Sequence, residues 1–271
     1  MKRITICILL QAFLLVNFGF SQQSDYGEGE YDVYGMIDKI KPVNLIDVPT
    51  ANFLSLKNFQ LKLRVYDMGG ILGGVTVGLT PRLMFGVTYG GQNIIGHGRI
   101  RWNEAPGVNL RYRVKFETER YPAVSIGFDS QGHGAYYPEL SRYQIKSMGF
   151  YVVASKNFTI LKDLGFHGGI NYSAENKGSE RDLNFFIGSH LYIDRDLSLI
   201  WEYNLATNDN DSTSIGAGKG YMNVAVRWAF SRHLMLEFSV KNLLKNNKLV
   251  SEIEEVPNES REMKILYFQN F

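Results

Sequence analysis

Residues 59–66 read Phe-Gln-Leu-Lys-Leu-Arg-Val-Tyr, a strict alternation of apolar and polar side chains, and the same texture returns about a dozen times along the 271 residues. An extended chain turns successive side chains to opposite faces, so a period of two describes a two-faced strand. Phe59, Leu61, Leu63 and Val65 fall on one face, and Gln60, Lys62 and Arg64 on the other. No helix-period segment of useful length offers a different core. In lipid every backbone N–H and C=O must be paired internally, and a sheet manages that only by closing on itself. The pattern predicts an all-β fold, an antiparallel transmembrane up-and-down β-barrel of about 12 strands.

Twelve segments carry the pattern: Phe59–Asp67, Ile71–Thr80, Leu83–Gly90, Gly107–Glu117, Ala123–Asp129, Ile145–Ser155, Leu164–Ser173, Leu183–Leu191, Leu197–Ala206, Tyr221–Phe230, Leu234–Lys241 and Glu262–Phe271. Each is about as long as a tilted membrane-crossing strand. The links between them alternate. Thr80–Arg82, Thr118–Pro122, Asp194–Asp196 and Ser231–His233 are short, whereas Gly91–Pro106, Ser130–Gln144, Ala174–Asp182, Thr207–Gly220 and Asn242–Arg261 are long and polar. Outer-membrane barrels have short periplasmic turns and longer outer loops. With an even strand number both termini fall in the periplasm. The first outer link, Met68–Gly70, is an exception to the rhythm.

Composition adds less. The hydrophobic fraction of 45%, the 13% aromatics and the 27 glycines suit a membrane barrel, and equally a soluble β-sandwich. The N-terminus says more. Lys2 and Arg3 precede an apolar run from Ile4 to Phe20, followed by Ser21, so residues 1–21 read as a secretion signal. That segment takes two of the 29 basic residues and none of the 27 acidic ones, leaving a formally neutral remainder. A neutral chain without a basic tail argues against a nucleic-acid partner. The single cysteine, Cys7, lies within the signal, so no disulfide or thiolate metal site is expected. Residues 22–57 form a periplasmic lead-in or a plug, and 58–271 the barrel. The last strand ends on aromatic residues, and Tyr267 with Phe271 is similar to the signal read by barrel-assembly machinery.

The most suggestive constellation is a basic stripe at lumen-facing positions: Lys62, Arg64, Arg111, Arg113, Lys115 and Arg227. Glu117, Glu202 and Glu237 are the candidate acidic partners. One reading is a cationic channel wall that attracts anionic solutes. The other is an interior held shut by Arg–Glu and Lys–Glu pairs. If outer loops do the work instead, Tyr136, Tyr137, Tyr143, Asp209 and Asp211 are the contact residues.

Signatures of catalysis or cofactors are weak. Gly216–Gly220 lacks the residues of a phosphate loop, and the five histidines (97, 133, 167, 190 and 233) show no metal-ligand spacing. Ser189 and His190 are adjacent and face opposite ways, so they form no nucleophile–base pair by themselves. No enzymatic activity, cofactor or metal is expected.

Leu45-Ile46-Asp47-Val48-Pro49-Thr50-Ala51 and Gly73–Thr80 resemble segments of YjbH-like outer-membrane proteins, as do Gly90–Gly96, Ala123–Gly132, Gly149–Phe158 and His167–Tyr172. The resemblance implies an outer-membrane barrel of one barrel-sized unit, associated with exopolysaccharide production. It implies partners among anionic saccharides and polysaccharide-export components, in addition to the lipid bilayer, and no catalytic residues.

Overall fold

A computed structural model describes residues 41–158, 164–175, 181–211, 214–248 and 259–270. The signal-like segment, residues 22–40 and Phe271 lie outside these. The strands are β1 (Asn58–Tyr66), β2 (Gly70–Thr80), β3 (Leu83–Gln92), β4 (Arg101–Trp102), β5 (Gly107–Lys115), β6 (Ala123–Asp129), β7 (His133–Tyr137), β8 (Arg142–Ile145), β9 (Gly149–Phe158), β10 (Leu164–Tyr172), β11 (Asn184–Tyr192), β12 (Leu197–Asn204), β13 (Tyr221–Ala229), β14 (Leu234–Lys241) and β15 (Ser260–Asn270).

Twelve of these close into an antiparallel ring. The closing ladder joins β1 to β15, from Asn58 opposite Asn270 to Val65 opposite Met263. β4 is a short extension beside β3, and β7–β8 is a separate hairpin within the link from β6 to β9. The expected Ile145–Ser155 strand is therefore divided. Ile145 ends the β8 arm, and the wall strand starts at Gly149, whose φ of +61° turns the chain between them. A Cβ there would lie 2.1 Å from the Tyr172 carbonyl oxygen, so only glycine fits.

The two faces have inverted polarity. Leu61, Leu63, Leu110, Tyr112, Phe150, Val152, Phe185, Ile187 and Phe238 are exposed on the outside. Arg64, Arg111, Glu202, Arg227, Glu237, Glu262 and Lys264 are buried on the inside. Apolar outside and charged inside is the arrangement of a barrel solvated by lipid. No helix of the described residues is long and apolar enough to cross a membrane; the crossing is made by strands.

The lumen is filled. Residues 43–52 form a narrow hairpin, with Leu45 N–H donating to Val48 O at 3.0 Å and Thr50 N–H to Val43 O at 3.1 Å. Leu45, Ile46, Val48 and Ala51 pack against the inward faces of Ala123, Tyr151, Val153, Phe186, Ile200 and Ala225. Those residues belong to strands on different sides of the ring, so the hairpin lies inside it. Gly188 faces inward here: a Cβ would meet Leu45 Cδ1 at 2.5 Å. Val43 and Leu54 pack lower, against Met84, Met235, Leu266 and Phe268.

Candidate functional site

The luminal hairpin is held by charged wall residues acting on its backbone. Glu202 on β12 accepts three successive backbone N–H groups, from Ile46 (2.9 Å), Asp47 (2.9 Å) and Val48 (3.1 Å), and a fourth bond from Asn223 Nδ2 at 2.7 Å. Successive N–H groups at a tight turn make a concave anion site, and a buried carboxylate occupies it here. From the opposite side Arg111 on β5 donates Nη1 to the carbonyls of Val43 and Thr50, both at 2.8 Å, and Nη2 to Asn44 Oδ1 at 3.0 Å. Arg227 on β13 donates to Leu45 O at 2.9 Å while paired with Glu237 at 2.5 Å. Lys264 on β15 binds Glu237 at 2.7 Å and Ile46 O at 2.5 Å. Arginine suits this work because its planar fork satisfies several carbonyls while remaining charged.

Asp47 at the hairpin tip joins a second cluster. Its Oδ1 lies 2.8 Å from Arg64 Nη2 and its Oδ2 2.7 Å from Lys241 Nζ. Arg64 and Lys241 also engage Glu262, by Arg64 Nε at 2.6 Å and Lys241 Nζ at 3.1 Å. Burial alone would push the Asp47 carboxyl up, but Arg64, His133, Lys241 and Lys264 together hold it well below the ordinary carboxylate value. His133, at the start of β7, completes the cluster, its Nδ1 being 2.9 Å from Arg64 Nη1. Burial drives the His133 ring well below its ordinary value; Asp47 opposes that shift, and Arg64, Lys241 and Lys62 add to it.

A third contact is a chain of hydroxyl and imidazole groups. Ala51 N–H donates to Ser155 Oγ at 2.7 Å, Ser155 Oγ lies 2.7 Å from His167 Nδ1, and His167 Nε2 lies 2.9 Å from His190 Nδ1. Ala51 thus covers Ser155, which is 1% exposed.

The expected site residues divide. Arg64, Arg111, Arg227, Glu202 and Glu237 are luminal and converge on the hairpin, and Lys62 faces the remaining cleft. Arg113 is half-buried near the short-turn rim, stacked 4.3 Å from the Phe53 ring centroid. Lys115 leaves the lumen. A register shift between Arg113 and Lys115 sets it opposite Val124, and it is exposed, 3.8 Å from the Tyr121 ring centroid. A bulge changes the face that a strand residue occupies. Glu117 also departs from the expected luminal partnership. It lies in the β5–β6 turn, accepting Asn157 N and Nδ2 at 2.6 Å each.

The outer-loop residues are not a presented surface. Tyr137, Tyr143 and Asp209 are buried, Tyr136 packs edge-on against Tyr143, and Asp211 is partly covered. Asp209 receives Arg142 Nη1 at 2.6 Å and Nη2 at 2.9 Å, and Tyr221 Oη at 3.0 Å. Tyr267 is half-buried on β15, and Phe271 is outside the described residues.

Asp47, His133, Ser155, Lys241, Glu262 and Lys264 were missed. Strand parity alone places Ser155, Lys241, Glu262 and Lys264 on inward positions. For Asp47 and His133, which lie on no wall strand, the sequence carries no such signal.

Between the hairpin and the walls of β1, β2, β3, β5 and β15 a narrow cleft of about 60 Å³ remains. Lys62, Gln60, Thr76, Thr88, Asn109, Asp129 and Gln131 line its polar side.

No family model matches the chain, and no curated protein matches it. Among solved structures it is similar to the NanC porin, at 11% identity over 78% of this chain and 99% of that one, with a TM-score of 0.46. The KdgM porin aligns at 9% identity over 78% and 98%, with a TM-score of 0.46. The COG4313 outer membrane channel from Pseudomonas putida F1 aligns at 10% over 83% and 100%, with a TM-score of 0.42. The closed strand ladder itself defines the fold.

Proposed function

We propose that this chain is a bacterial outer-membrane barrel that its own luminal hairpin holds closed, and that it becomes a narrow conduit for small anionic solutes when the hairpin withdraws. The observation that carries this reading is the capture of three consecutive hairpin N–H groups by Glu202. Such a carboxylate is matched to a seated segment and would otherwise face an open lumen with only the wall's Asn223 beside it. The apolar exterior and the secretion-signal pattern of residues 1–21 support the outer-membrane location. The cleft beside the hairpin, which takes Lys62, Arg64, Arg227 and Lys264 into its lining, supports an anionic cargo.

Leu45–Ala51, one of the segments that carry the YjbH-like resemblance, forms the hairpin. A role as an accessory of polysaccharide export, with acidic saccharide as cargo, follows from that resemblance and is part of the proposal. A closed structural barrel acting through its loops is the competing reading, favoured by the locked Arg142–Asp209 pair.

Planar-bilayer recording tests closure. The full chain is expected to be silent at rest, and deletion of residues 43–52 is expected to give steady anion-selective steps. Steady conductance in the unaltered chain would overturn closure. A silent deletion variant that still migrates as a folded barrel would overturn the conduit and leave the structural barrel.

A further inference from the structure

The rim at the β2–β3 and β5–β6 turns carries a cluster of cations that the luminal network does not use. Arg82 and Arg113 flank one ring, with guanidinium carbons 4.7 and 4.8 Å from the Phe116 centroid. Beside them Lys115 Nζ lies 3.8 Å, and the Arg120 guanidinium carbon 5.9 Å, from the Tyr121 centroid. Arg82, Lys115 and Arg120 are exposed.

Four cations stacked on two rings of the β5–β6 connection call for a counter-charge. Among the described residues none of the four is within 4 Å of a carboxylate. Glu117 is engaged by Asn157, with Lys41 at 3.5 Å and Lys156 at 3.7 Å. Glu119, the other acid of the turn, is exposed and forms no ion pair with any of the four. The Arg82 guanidinium donates to backbone, to Arg113 O at 3.3 Å and Val114 O at 3.1 Å. These bonds fix its guanidinium without neutralising it. Arg113 Nε is buried and has no acceptor. An unpartnered buried donor beside uncompensated cations is an incomplete arrangement.

Its position identifies what completes it. Tyr112 and Val114 are exposed along β5, and the exposed Phe116 follows just past its end, beside these cations. Cations and aromatic rings at the end of a lipid-facing strand lie at headgroup depth. We propose that the rim formed by Arg82, Arg113, Lys115 and Arg120 is a binding site for the phosphodiester headgroup of an anionic phospholipid. The acyl chains run along β5, and Phe116 and Tyr121 bracket the glycerol region. Arg82, Lys115 and Arg120 present the site outside the ring, Arg113 reaches it while stacked on Phe53, and binding there does not depend on whether the lumen conducts.

The test is native mass spectrometry of the full chain in neutral detergent, titrated separately with phosphatidylglycerol, phosphatidylcholine and inorganic phosphate. Retention of phosphatidylglycerol over phosphatidylcholine is expected. Each neutralisation, R82Q or K115Q, should weaken phosphatidylglycerol binding about fivefold, the effect of one cation near an anionic headgroup. R82K, which keeps the charge, should lose less than R82Q. R195Q, at a short turn where Asp194 and Asp196 flank the arginine, should match the unaltered chain. Heat-modifiable migration of every variant confirms that the barrel is folded. Equal retention of the two lipids would overturn the proposal, as would an R82Q/K115Q double variant with undiminished binding. Inorganic phosphate held as tightly as phosphatidylglycerol would assign the cluster to a soluble oxyanion and overturn the lipid assignment.

Discussion

Asp47 and His133 meet inside the barrel, with Oδ1 and Nδ1 3.6 Å apart, although one is carried on the hairpin from the short-turn end and the other on the β6–β9 link from the long-loop end. Arg64 on the wall touches both. The lumen is therefore closed by two inserts that share one cation, and loosening either exposes the other. A wall of paired charges alone would leave each insert independent.

That junction is acid-sensitive, and the sign follows from His133. Docked, its ring is held well below the ordinary value, chiefly by burial. Undocked, it returns to about 6.5, so below that pH the released form takes up a proton that the docked form does not. Docking is at full strength above about pH 6.5 and weakens as pH falls, by up to about 1.4 kcal/mol per unit. Asp47, also held low when docked, acts in the same direction but only below about pH 4. Protection factors for residues 130–145, taken relative to intrinsic exchange at each pH, should fall between pH 7 and pH 5, and H133Q should abolish that response. Protection factors that stay flat across this range in the unaltered chain would refute the mechanism.

Glu202 is the residue on which hairpin seating most depends. Hydrogen bonds to a charged acceptor contribute about 1.5–3 kcal/mol each, and three hairpin N–H groups share this one. In E202Q the charge is gone and an amide N–H₂ faces the same donors. A loss of about 3 kcal/mol raises the withdrawn population roughly 100-fold. Single-channel open probability measures this, and an unchanged value would show that the hairpin is held elsewhere.

The barrel was legible because its rule is local. At Phe59–Tyr66 and along β12–β14 each residue's face follows from parity, so lipid-facing Leu61 and luminal Arg64 could be assigned from spacing alone. Parity failed where the backbone adds a residue, as between Arg113 and Lys115. It was silent for Asp47 and His133, whose meeting depends on contacts across 86 positions of sequence. The apolar residues Val153, Phe186 and Ile200 at inward positions are the trace of the hairpin in the strands. A lumen filled with water would not select them. The loop residues were misjudged for a related reason: Asp209 sits among Asn and Asp residues that read as solvated, and its burial is set by Arg142, a distant partner.

Asp209 and Arg142 form a buried two-point pair at 2.6 and 2.9 Å. Removing one charge from such a pair costs about 3–5 kcal/mol, because the other stays buried and unpaired. D209N should open the β7–β8 hairpin and the Thr207–Gly220 link together. Limited proteolysis near Ser141 should accelerate while heat-modifiable migration stays unchanged. Equal cleavage rates would show that the loop arms are anchored by other contacts.

The hairpin and the barrel should be separable by a single apolar truncation. Leu45 is 1% exposed and occupies the space that Gly188 leaves, yet the ring's strand ladders begin only at Asn58. L45A removes buried methyl groups at a cost of about 2–5 kcal/mol. That loss should fall on docking and not on the barrel, since residues 43–52 bond to inward side chains of the ring but form no rung of its strand ladders. Open probability should rise at least tenfold at an unchanged barrel melting temperature. L61A, at a lipid-facing position 45% exposed, should leave open probability unchanged. A fall in barrel melting temperature with L45A would mean that the hairpin is part of the folding core, and a segment the barrel needs in order to stand could not serve as its gate.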